Sequence, residues 1–342
     1  MTKVLIVNCS GAIGSSGQLF DALYLAFAKA GHEAEIMHLE PASSFAGKFA
    51  RLLPLSRERR AKLRRADVVV LHTSVIFTAW EIVVSRLRGK RVAVIYWDSY
   101  PESFNVLNRS KSRLGSFLFG AIERWLLRRC NVLLPPSEDY VPHLHKVFPG
   151  IETRVLRMWM FTPVTDRGRP DRGTPPLEIG FAGAVDPIRG LDHAVRRISE
   201  ATVGPVSFHT YGRTAPYLGL PAAGARVTHV HHGFVSPDAI MERLAAHDFG
   251  LVSLHPGFPL PAFPSKTLVY VGAGLPILYV GPELPDYQAL LAELGIGTTL
   301  APGVSAELVC EAERLRGAIT QAQTRTLEKL ELNEAQLDKI LQ

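Results

Sequence analysis

The chain has 342 residues, 47% of them hydrophobic, enough for two domains that each bury a core of their own. Its three cysteines, Cys9, Cys130 and Cys310, lie far apart without metal-ligand spacing, which argues against a disulfide framework and for a reducing, cytoplasmic compartment. The net charge of +6 is unevenly placed: residues 1–160 hold 23 Lys and Arg against 13 Asp and Glu, and residues 161–342 hold 15 against 19.

In chain order, residues 4–8 form too short an apolar run for a signal peptide and are expected to be a first strand. A glycine loop follows over 11–17, then a helix over 18–30 closed by Gly31, then a strand over 33–39. Residues 68–72 and 91–96 continue as short apolar runs suited to a parallel sheet buried on both faces. Basic residues crowd 51–65 and 109–129, and Phe117, Leu118, Phe119, Trp125 and Leu126 interleave with the second group. That pairing suits an anionic membrane surface, where each basic side chain contributes about 1 kcal/mol; a solvated helix face accounts for it equally. Nucleic acid is not expected, because no recognised binding motif accompanies the charge. No apolar run reaches the roughly 18–20 residues that span a bilayer, and Glu123 and Arg124 interrupt even residues 117–127.

Residues 161–176, rich in proline, glycine and charge, are expected to be a linker. The alternation then restarts, with strands at 177–181, 206–211, 249–254 and 276–280 and helices at 191–201, 237–246 and 265–273. The fold class is α/β: two doubly wound, Rossmann-like domains, 1–160 and 177–305, facing a cleft where ligand lies, with helices over 306–342 packing across both.

Several residues stand where this fold places ligands. Ser265 is a good helix N-cap, and Lys266 adds a full charge where the first-turn amides favour an anion; a capped core helix is the competing reading. Arg189 and Arg213, the second just past a strand end, would add positive partners for a diphosphate, or make surface ion pairs. Phe234, in the turn with Gly233, or Tyr211 would offer an apolar face to a base; either is equally suited to the core. The first glycine loop is spaced GxxGxxG, which is no dinucleotide fingerprint, but Gly14 is a reasonable contact. Asp98 follows a strand end among aromatic neighbours that would raise its pKa towards that of a general base, with Glu102 as the fallback and a turn or cap role as the alternative. His229, His231 and His232 are dense, but side chains alternate along a strand and all three cannot converge on a metal.

Taken in order, several stretches resemble the GT-B glycosyltransferases, especially the GT4-like group that uses nucleotide sugars. They are Ile179-Gly180-Phe181-Ala182-Gly183 with Arg189-Gly190-Leu191-Asp192, residues 229–240, Asp248-Phe249-Gly250-Leu251-Val252, and the helix from Ser265 to Gly272-Ala273-Gly274-Leu275-Pro276. The resemblance covers nearly the whole chain. It implies a metal-independent hexosyltransferase with no cofactor beyond its nucleotide-sugar donor, acting on a polysaccharide or lipid-linked saccharide at the cytoplasmic membrane face. Asp98 is then the catalytic carboxylate, and Ser265, Lys266, Arg189, Arg213, Tyr211, Phe234, Gly14 and Tyr270 hold the donor. The Asp-X-Asp motif with which GT-A enzymes hold metal is absent. Val269 stands where many GT4-like enzymes place a donor-binding glutamate, and Pro256 near the motif's earlier one. The departures leave a nucleotide-sugar epimerase on the same fold, or a catalytically inactive partner subunit, as alternatives.

Overall fold

The run Val68–His72 is buried at every position, as a strand covered on both faces must be. In the computed structural model it is β3 of a six-stranded parallel sheet, with β1 (Lys3–Asn8), β2 (Glu33–His38), β4 (Arg91–Ile95), β5 (Val132–Leu134) and β6 (Glu152–Thr153) in the order β2-β1-β3-β4-β5-β6. The structure describes residues 1–9, 15–39, 55–73, 75–97, 113–160, 176–183, 185, 187–202, 204–213, 227–258, 261–300 and 308–342.

Helix α1 (Ser15–Lys29) joins β1 to β2, α2 (Arg57–Arg65) lies between β2 and β3, and α3 (Ala79–Leu87), entered through a 3-10 turn at Val75–Thr78, between β3 and β4. Helices α4 (Arg113–Leu127) and α5 (Tyr140–Val147) complete the set. From β2 to β5 every connection steps the same way across the sheet, and right-handed crossovers then put α2, α3 and α4 on one face. The core agrees: Leu63, Ile82 and Leu126 from these helices pack in one cluster with Leu144 of α5 and with Leu5, Val69 and Val94 of the strands.

The second sheet has β7 (Leu177–Ala182), β8 (Val206–Tyr211), β9 (Val227–His231), β10 (Phe249–Ser253), β11 (Ile277–Val280) and β12 (Gly297–Thr299), all parallel, in the order β12-β11-β10-β7-β8-β9. Its helices are α6 (Leu191–Ala201), α7 (Pro237–Ala245), α8 (Lys266–Gly272), α9 (Pro285–Leu294) and α10 (Leu308–Leu330). Helix α6 shows why: Leu191, Ala194, Val195, Ile198 and Ala201 recur at helical spacing and are all buried.

The chain divides into two compact units, Met1–Phe161 with Leu260–Phe263 and Leu330–Gln342, and Thr162–Pro259 with Pro264–Lys329. The last helix, α11 (Glu334–Leu341), thus belongs to the first unit, where Lys339 Nζ donates to Val155 O at 2.7 Å and Arg91 Nε to Ile340 O at 3.2 Å. The expected linker at 161–176 lies, but for Pro176, outside the described residues. The first helix begins three residues earlier than the glycine pattern suggests, since Gly17 sits inside α1.

Candidate functional site

In a doubly wound sheet the strand order reverses at one point, and ligands bind beyond the carboxyl ends of the strands there. In the second unit that point is the boundary of β7 and β10. Gly183, φ +123°, turns the chain after β7, and Lys266 Cε and Nζ lie 3.0 Å from where a Cβ on Gly183 would stand. The ammonium also sits 4.7 Å from the ring centroid of Phe181, the penultimate residue of the strand. Arg189 ends the 3-10 turn Pro187–Arg189 in the same β7–α6 connection, and His255 N donates to Ile188 O at 2.8 Å, tying the loop after β10 to the loop after β7.

The rim extends sideways through two more glycines. Gly183 N donates to Tyr211 O at 2.8 Å, and Gly212 N to Gly233 O at 2.9 Å, so the ends of β7, β8 and β9 are linked in series. A Cβ on Gly212 would stand 2.6 Å from Gly183 O, and Gly233 has φ +71°. Beyond that rim Phe234 is 65% exposed, with the Arg213 guanidinium carbon 5.4 Å from its ring centroid. A flat cation over a flat exposed ring is a ready stacking platform.

The expected site residues fall into three groups. Lys266, Arg189, Arg213 and Phe234 lie beyond the strand ends, and Ser265 is exposed beside them. Tyr211 and Tyr270 are buried beneath. Tyr270 Oη accepts from Ala182 N at 3.2 Å and donates to Leu251 O at 3.1 Å, its ring fills the space left by Gly250, and burial pushes its phenol well above the ordinary range. Those contacts fix α8 against β7 and β10. Asp98, Glu102 and Gly14 lie outside the described residues.

Ser265 occupies the N-cap of α8, but its backbone is helical and its hydroxyl caps nothing. Thr267 N and Leu268 N are taken by Pro264 O and Ser265 O at 3.1 and 3.2 Å, so the tight first turn consumes amides that the sequence seemed to leave for an anion. The charge at this corner comes from Lys266 and Arg189.

Sequence reasoning missed a histidine cluster on one face of this sheet. Gly180, which has no Cβ to meet the ring, lets His247 lie over β7; its Nε2 is 2.8 Å from Tyr211 Oη and its Nδ1 3.5 Å from Glu178 Oε2. His209 lies 2.9 Å from both Ser207 Oγ and His232 Nε2, and Tyr211 stacks on His232 with centroids 4.6 Å apart. Glu178, His209 and His247 bring ligand-type atoms within 4.8 Å of one another, a set chemically able to hold a metal. His229 and His231 instead both meet Thr210 Oγ1, at 2.8 and 3.0 Å, while His232 faces His209. A period-2 signal, Glu178-x-Gly180 beside Ser207-x-His209-x-Tyr211, was there to be found.

The first unit has its own reversal, between β1 and β3. His72 Nδ1 lies 2.7 Å from Thr73 O, which only accepts, so the proton is on Nδ1 and Nε2 accepts from Cys9 N at 3.2 Å. Asn8 Nδ2 donates to His38 Nδ1 at 3.1 Å, leaving His38 Nε2 to donate to Asp21 Oδ1 at 3.2 Å. Phe20, His72, Trp97 and Trp159 form a chain of rings with successive centroids 5.1 to 6.3 Å apart. Tyr140 Oη donates to Trp97 O at 3.0 Å and fixes the backbone immediately before Asp98.

No protein-family profile matches the chain, and no curated protein matches it in sequence. Solved structures do match along its whole length. Sucrose-phosphate synthase from Thermosynechococcus elongatus is 14% identical with TM-score 0.63, covering 98% of this chain and 96% of that one. An alpha-glucosyltransferase solved in complex with UDP is 14% identical with TM-score 0.58, covering all of both chains. A lipopolysaccharide outer core galactosyltransferase in apo form is 14% identical with TM-score 0.53, covering 99% and 98%. The fold is that of the GT-B glycosyltransferases.

Proposed function

We propose that the protein transfers a hexose from a nucleoside-diphosphate sugar to a polysaccharide or lipid-linked saccharide at the cytoplasmic face of a membrane, without a metal. The observation that carries this reading is the Lys266 ammonium held over Gly183 at the reversal of the second sheet. A leaving diphosphate gains negative charge as its bond to the anomeric carbon breaks, and preorganised cations there stabilise the transition state more than the ground state. Lys266 and Arg189 supply that charge, Gly183 admits the phosphates close to the backbone, and the Phe234 ring with Arg213 carries the base. The acceptor oxygen forms the new bond, and its proton passes to Asp98, which follows the aromatic end of β4.

Val269, half-buried on α8, offers no carboxylate to the donor. Lys266 therefore contributes a larger share of donor binding than a lysine backed by glutamate would. Calorimetry with UDP and GDP tests this: Lys266→Ala should weaken nucleotide binding at least tenfold, and unchanged affinity would refute the donor site. Asp98→Asn should keep nucleotide affinity within about twofold while turnover falls by roughly 10²-fold or more. Incubation with donor alone separates transfer from epimerisation, since only an epimerase converts the sugar without an acceptor.

A further inference from the structure

Helix α4 in the first unit presents an apolar stripe outward. Phe117, Leu118, Ile122 and Trp125 are 65, 51, 46 and 48% exposed, on successive turns of one side of a 15-residue helix about 22 Å long. The helix cannot roll to hide them. Glu123 on its inner side is 1% exposed, and its two carboxylate oxygens accept from Val75 N at 2.7 Å and Ile76 N at 2.8 Å. Leu126 and Leu127 are locked in the core beside it. The outward stripe is thus fixed by the same contacts that hold the helix down.

Along residues 113–129 the charge beside the stripe has one sign. Glu123, the only acidic residue from 113 to 129, is spent on those buried amides, which leaves Arg124, Arg128 and Arg129 on the outer side. The Arg129 guanidinium lies 3.4 Å from the Trp125 ring centroid and donates to Trp125 O at 2.9 Å, so a cation and an aromatic ring share one position. On the same face of the sheet, α2 exposes Arg57, Arg60, Arg64 and Arg65, an excess of positive charge over its one exposed acid, Glu58, which pairs with Lys62 at 3.3 Å. A second copy of the chain on this surface would bring arginines against arginines, and nucleic acid would bring phosphates against Phe117 and Ile122. An anionic bilayer satisfies both halves, with apolar side chains among the acyl chains and arginines at the headgroups.

We propose that α4 is a membrane-docking helix, seated with Phe117, Leu118, Ile122 and Trp125 in the interface of an anionic leaflet and steered there by the arginines of α2 and by Arg124, Arg128 and Arg129 in and just after α4. Docking needs neither nucleotide nor catalysis, so it stands or falls apart from the donor site.

Co-sedimentation of the full chain with vesicles of phosphatidylcholine alone, or mixed with phosphatidylglycerol, tests it. The protein should pellet with the mixed vesicles at least tenfold better than with the neutral ones, and high salt should reduce the difference. Phe117→Ser with Trp125→Ser should weaken binding to mixed vesicles at least tenfold, while thermal midpoint and UDP affinity stay unchanged. Brominated lipid should quench tryptophan fluorescence in the unaltered protein, and Trp125→Phe should abolish most of that quenching, which checks the same point without a destabilising change. Equal pelleting with both vesicle types, unchanged binding by the double variant, or self-association through this face in ultracentrifugation would each overturn the proposal.

Discussion

At the scale of single residues the corner at the reversal of the second sheet depends on two missing β-carbons. A Cβ on Gly183 would meet Lys266, a flexible side chain, but at φ +123° any L residue is strained as well. A Cβ on Gly212 would meet the Gly183 carbonyl oxygen, which is backbone and cannot swing away. Gly212→Ala should therefore cost more stability than Gly183→Ala, by about 1 to 3 kcal/mol in total, and a urea series on both variants reads the order directly. Gly183→Ala should in turn cost more nucleotide affinity, because it displaces Lys266. Each glycine follows an expected strand, 177–181 or 206–211, but their mutual contact was not legible, because it joins neighbouring strands 29 residues apart. Tyr211 and Tyr270 illustrate the opposite problem: a tyrosine at a strand end or on a ligand-facing helix has the same letter whether its hydroxyl meets a nucleotide or, as here, His247 and Leu251.

At the scale of elements, α4 shows how one buried charge sets the orientation of a helix. Glu123 looked in the sequence like an interruption of an apolar run, and the structure makes it the group that satisfies two amides of the Val75–Thr78 turn. Glu123→Ala leaves both without a partner and should destabilise the protein by about 2 to 4 kcal/mol in chemical denaturation, with Glu123→Gln recovering part of that. The central strands and α6 were legible because their periods are strong. The short β5, β6 and β12 were not, since two or three residues carry no period of their own.

At the scale of the whole molecule the histidines of the second unit tie stability to pH. Three histidines of the second unit, His193, His229 and His232, are held below their ordinary pKa of 6.5, in each case mainly by burial, with neighbouring arginines or histidines adding to it. Because the folded pKa is the lower one, the unfolded chain binds protons first as pH falls, and stability present above about pH 6.5 is lost below it. Thermal melts from pH 8 to pH 5 should show the midpoint falling over that window, and His229→Gln with His232→Gln should flatten the slope.

Helix α11 gives the first unit a debt to the far end of the chain. Leu337 and Ile340 are buried, and Lys339 and Arg91 make their bonds across a separation of 184 and 249 residues. During synthesis at about 5 to 20 residues per second, roughly 10 to 40 s separate the appearance of residue 160 from that of residue 340. Throughout that interval the amino-terminal sheet waits with the seat of α11 unfilled, so the first unit cannot reach its complete packing until residues 334–341 have been made.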